Sequence, residues 1–64
     1  MINAYLVTLD GDLIRIAMPH MEAVFLNRDG EAVEDQIKTR CDEMGVPVKD
    51  VGKISAYQYV VLTA

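Results

Sequence analysis

Sixty-four residues, 52% of them apolar, bound this chain to one small folded domain, residues 1–64, near the lower size limit for a hydrophobic core without staples. Ten acidic residues against six basic ones leave a net charge of −4. That argues against nucleic acid, whose affinity comes largely from neutralised phosphates, and mildly favours a partner protein with a basic surface. Cys41, the single cysteine, forms no internal disulfide, the N-terminal stretch has no basic region before aspartate enters, and no apolar run reaches the length of a membrane span. The expectation is a cytoplasmic chain with no membrane association.

Residues 2–9, "INAYLVTL", are rich in β-branched and aromatic side chains and predict a strand; residues 13–18, "LIRIAM", predict a second that ends before Pro19. Between them Asp10-Gly11 is a hairpin signal, because a type I′ turn needs positive φ at both central positions. A two-residue turn centred there pairs Leu9 with Asp12, and a four-residue loop pairs Leu9 with Ile14. Either register puts Tyr5, Val7 and Leu9 on one face with Ile14, Ile16 and Met18. Asp10 and Asp12 therefore serve the turn: nothing after Asp12 supplies the further oxygens that a calcium loop needs.

Residues 22–26, "EAVFL", predict a third strand, with a short helix from Pro19 as the rival. Asn27 and Asp29 are candidate N-caps for a helix starting at Gly30 or Glu31 and ending at Met44. Its apolar stripe is Val33, Ile37, Cys41 and Met44, one face of a 3.6-residue period, and Gly45 and Pro47 end it. Residues 53–63, "KISAYQYVVLT", predict one final strand. The order β-β-β-α-β describes a small α+β sandwich, one helix packed on a mainly antiparallel sheet.

Chemistry-bearing patterns are sparse. His20 and Cys41 are the sole Cys–His candidates, but His20 lies in a turn and Cys41 on the apolar stripe, where a thiol behaves as a small hydrophobe. One His and one Cys do not complete a zinc site, and the four glycines stand isolated. No catalytic residue, metal ligand or cofactor is expected, and the chain reads as a non-enzyme.

What remains is surface. The polar side of the helix carries Glu31, Glu34, Asp35, Lys38, Asp42 and Glu43. Its early acids complement the helix dipole, whereas Asp42 and Glu43 oppose it. The first and last strands are apolar on both sides, as buried strands are, yet one helix covers one side of a sheet. Asp35, Asp42, Glu43, Tyr57, Tyr59 and Leu6 are the candidate partner-binding residues, tyrosine being enriched at interfaces. The spare surface also predicts a two-fold homodimer, through the bare face or an unpaired strand edge, unless the segments 19–26 and 46–52 fold over it.

The layout "AYLVTLDGDLIRIAMPHMEAVFLNRDGEAVED" resembles the N-terminal domain of HicB-type antitoxins: a hairpin, a proline at the strand end (Pro19), a third strand, a turn and a Glu-Ala helix start (Glu31-Ala32). The likeness covers about half the chain and implies an inhibitory protein-binding module with a basic, toxin-like partner. The leading expectation is an acidic protein-binding module, an inhibitor or adaptor of the size of phage-encoded host-takeover or anti-defence proteins. The alternatives are a binder of small, nucleotide-like molecules on the open sheet face and an enzyme subunit completed by oligomerisation.

Overall fold

The computed structural model describes residues 1–64. It contains β1 (Asn3–Asp10), β2 (Leu13–Ala17), β3 (Glu22–Leu26), α1 (Val33–Glu43), β4 (Val48–Ser55) and β5 (Gln58–Thr63). The strands form one antiparallel sheet in the order β3-β2-β1-β5-β4, with α1 packed on one face. The α+β class and the single helix on an antiparallel sheet are as the sequence predicts. The last element is corrected: the predicted strand 53–63 is two strands, and the order is β-β-β-α-β-β.

The first hairpin pairs Asp10 with Leu13 and Leu9 with Ile14. Its central residues are therefore Gly11 and Asp12, not Asp10 and Gly11. Gly11 alone takes a positive φ, +60°, the φ pattern of a type II′ turn and not of type I′. The face predicted in either register is the one buried: Val7, Ile14 and Ile16 are fully enclosed, with Tyr5, Leu9 and Met18 packed around them. Residues 22–26 are a strand, as predicted, and the helical rival from Pro19 is not formed.

The helix is shorter than predicted at its start. Gly30 lies in the left-handed region at φ +85°, so the helical path begins only after Ala32, whose extended backbone forms the N-cap without a side-chain bond. Asn27 and Asp29 do not cap it. The stripe itself holds, with Ile37 and Cys41 fully buried and Val33 and Met44 against the same core. The helix ends in a Schellman motif: Gly45 N–H donates to the Asp42 carbonyl at 3.0 Å and Val46 N–H to that of Cys41 at 2.8 Å, with Gly45 at φ +74°.

Residue 36 ties the incoming loop to the helix. Gln36 is 6% exposed. Its Oε1 accepts from the Arg28 N–H at 2.8 Å, and its Nε2 donates to Asn27 Oδ1 at 2.9 Å and to the Glu31 carbonyl at 3.1 Å. A buried amide is tolerable only when its donors and acceptor are satisfied, and here the loop backbone and the Asn27 side chain do so.

β4 and β5 meet at a two-residue turn, Ala56-Tyr57, closed by Ser55 opposite Gln58. Two register shifts break the β4 ladder, leaving Lys49 and Ile54 without partners on β5. The first shift turns Val48 and Val51, three residues apart, toward the same core. The backbone of α1 runs closest to β4, so the β3 side of the sheet is the less covered one.

Candidate functional site

Strand alternation assigns the face turned away from α1. Ala4, Leu6 and Thr8 of β1 pair with Leu62, Val60 and Gln58 of β5, and Val60 and Leu62 with Gly52 and Asp50 of β4. Toward β2 and β3 the same face carries Arg15 and Val24 beside Thr8, and Leu13 opposite Leu26. Neither predicted cover forms over it, because residues 22–26 and 48–52 are strands of the sheet itself. This face therefore offers an apolar area of Ala4, Leu6, Val60 and Leu62 next to a polar cross-strand group. In that group the Arg15 guanidinium contacts Glu22 at 2.8 Å and Asp10 at 3.3 Å. The hydrogen bond that Arg15 donates to Glu22, reinforced by the one to Asp10, holds the Arg15 pKa above its ordinary value. The pair is solvent-exposed, so it fixes orientation more than it stabilises.

The six predicted partner-binding residues fall in four places. Leu6 lies on the open face, partly exposed. Tyr57, 68% exposed, stands at the tip of the β4–β5 hairpin, and its carbonyl accepts from the Leu9 N–H at 2.8 Å. Tyr59 is 5% exposed and belongs to the core facing α1. The turn at Ala56-Tyr57 separates the two tyrosines, so Tyr59 presents no surface to a partner. Asp35, Asp42 and Glu43 are exposed on α1, across the sheet from Leu6.

The acidic patch is also less acidic than the sequence suggests. Glu43 is 3.2 Å from Arg40. Asp42 lines a groove with Lys38 and Lys49, a cation brought in from β4. Glu34–Lys38 and Lys38–Asp42, though four residues apart on the helix, form no ion pair; the pairs formed are Arg15–Asp10, Arg15–Glu22 and Arg40–Glu43. His20 is exposed, while Cys41 is fully buried and burial pushes its thiol pKa up, so the thiol is held protonated.

Two further features were not read from the sequence. One is an open groove of about 280 Å³ between β3 and α1, lined by Phe25, Leu26, Arg28, Thr39 and Arg40 together with Glu31, Gln36 and Glu43. The Arg40 guanidinium sits 5.7 Å from the centre of the Phe25 ring, and its Nε is buried without a hydrogen-bond partner. The other is the outer edge of β3. Asn27 N–H donates to the Asp12 carbonyl at 2.8 Å and Met18 N–H to that of Met21 at 2.9 Å. By antiparallel alternation residues 21, 23, 25 and 27 then bond toward β2, and the N–H and C=O groups of Glu22, Val24 and Leu26 point outward. No known family, curated protein or solved structure matches the chain.

Proposed function

We propose that this chain is a non-enzymatic protein-binding module that uses the open sheet face, acting as an inhibitor or adaptor of another protein in the cytoplasm. The observation that carries this reading is the bare apolar area of Ala4, Leu6, Val60 and Leu62 on a sheet whose opposite face already holds the core. Apolar surface rimmed by polar side chains is typical of protein contact sites. Its rim holds three acids, Asp10, Glu22 and Asp50, against one base, Arg15. A partner with an apolar centre and basic flanks matches both parts, in keeping with the overall charge of −4. The helix acids are the weaker surface, since lysines and Arg40 accompany them. An inhibitor of the kind phage genomes encode fits the small size.

Binding of a small molecule is less well supported. The β3–α1 groove is open, and six of its eight lining residues are polar, whereas small-molecule sites are mostly apolar and enclose their ligand.

Affinity capture from the cells that encode the chain tests the reading, using wild type, Leu6→Glu and a double Asp42→Lys, Glu43→Lys variant as bait. The expected result is a protein retained by wild type and by the helix double variant and lost with Leu6→Glu. Equal retention by Leu6→Glu, or no specific retention by any bait, overturns it.

A further inference from the structure

The two edges of the sheet are built differently, and we propose that the β3 edge pairs with a second copy of this chain. In this arrangement β3 lies antiparallel to β3 about a two-fold axis at Val24, joining two five-stranded sheets into one. The proposal does not depend on the foreign partner above, because it uses the strand's backbone and leaves the apolar area of β1 and β5 free.

An exposed strand edge is a row of unmet donors and acceptors, and proteins blunt such edges with bulges, charges or covering elements. β4 is blunted in all three ways. It has two register shifts, carries Lys49 and Lys53, and has α1 running alongside. β3 has no bulge and no covering element, and its one charge, Glu22 at the first residue, is already paired with Arg15. Its register with β2 is unbroken over five residues, with no lysine, proline or glycine inside it, and Val24 and Leu26 are exposed.

The outward-pointing residues decide the register. Glu22, Val24 and Leu26 are spaced symmetrically about Val24, so a two-fold axis there makes Val24 face Val24 of the second copy and Glu22 face its Leu26. All are hydrogen-bonding positions, giving about six intermolecular backbone bonds. On the helix side the same register sets Ala23 against Phe25 of the second copy, a small side chain opposite a large one. On the open face it brings Val24 and Leu26, the latter 68% exposed, out of water.

Charge favours a copy of the chain at this edge. Two chains of net charge −4 repel each other overall. The groove flanking β3, however, is balanced, with Arg28 and Arg40 against Glu31 and Glu43. A two-fold axis places such a flank beside its own copy, where equal numbers of both signs add no net like-charge repulsion.

Sedimentation equilibrium from micromolar to millimolar concentration, with Val24→Pro as the variant, tests the proposal. The Val24 N–H points away from β2, so proline there removes no internal hydrogen bond and sits where edge strands accept it. Wild type is expected at twice the 7.1 kDa chain mass, Val24→Pro at the single-chain mass with an unchanged circular dichroism spectrum, and Leu6→Glu at the dimer mass. A wild type that stays monomeric, or a Val24→Pro that stays dimeric, overturns the proposal. If Val24→Pro unfolds, amide exchange of the wild type decides. Protection of the Val24 N–H that rises with protein concentration toward that of Ala23 and Phe25 supports pairing, and fast exchange at every concentration refutes it.

Discussion

The two faces of the sheet draw on the same strands and nearly the same side chains, yet they do different work. Toward α1, Val7, Ile14, Ile16 and Val61 are fully buried with Ile37 and Cys41. On the other face Leu6, Val24 and Leu26 remain exposed, and the central position is held by Arg15 between two carboxylates. The difference is not hydrophobicity along the strand, since Leu6 sits between Tyr5 and Val7. It is the single helix. With one helix available, one face becomes core and the other is left uncovered. Residues on the first face should therefore govern stability, and residues on the second should govern association.

The largest effect should come from the centre of the covered face. Ile37→Ala removes a fully buried side chain from between helix and sheet, at an expected cost of about 2–5 kcal/mol, measured by urea unfolding. An unchanged unfolding midpoint would mean that α1 does not organise this face. Next comes Gln36, which holds the 27–32 loop against the helix. Gln36→Ala strands the Arg28 N–H and the Asn27 side chain, and the expected loss is about 1–3 kcal/mol. Faster amide exchange at Arg28 should accompany it. Equal exchange in variant and wild type would show that the loop holds itself.

A smaller effect concerns Cys41. Burial raises its pKa in the folded state, so the folded chain keeps the proton that the unfolded chain releases. The associated stability is complete below the ordinary thiol pKa of about 8.5 and is lost as pH rises toward the folded value. Wild type should therefore lose stability over that alkaline window more steeply than Cys41→Ala. Parallel pH profiles would place the thiol in contact with water.

Much of the covered face was legible because alternation in the first hairpin and the stripe Val33, Ile37, Cys41, Met44 each match a period fixed by backbone geometry. Pro19, Gly45 and Pro47 punctuate those elements. The second hairpin was not legible for equally physical reasons. The Ala56-Tyr57 turn contains none of the residues that mark turns, so the apolar alternation of residues 53–63 runs through it unbroken. The bulge at Lys49 sets the inward residues of β4, Val48 and Val51, three apart, which hides a strand from a period-two search. Without that turn the sequence places Tyr59 among partner-binding residues, although it belongs to the core. Gln36, three residues after Val33, sits within the helix stripe, and its polarity disguised its burial. The β3 edge was invisible for another reason: edge status depends on strand order, and no local pattern encodes that order.

The most direct test of the division between faces is the thermal unfolding of Leu6→Glu, compared with Ile37→Ala at the same protein concentration. Leu6 is flanked by Tyr5 and Val7 of the core but faces the other way. A charge there should change stability by no more than about 0.5 kcal/mol, a shift in melting midpoint of about 2–4 °C, while Ile37→Ala falls much further. Unfolding of Leu6→Glu on the scale of Ile37→Ala would show that the second face is also core, and would remove the surface on which the proposed function rests.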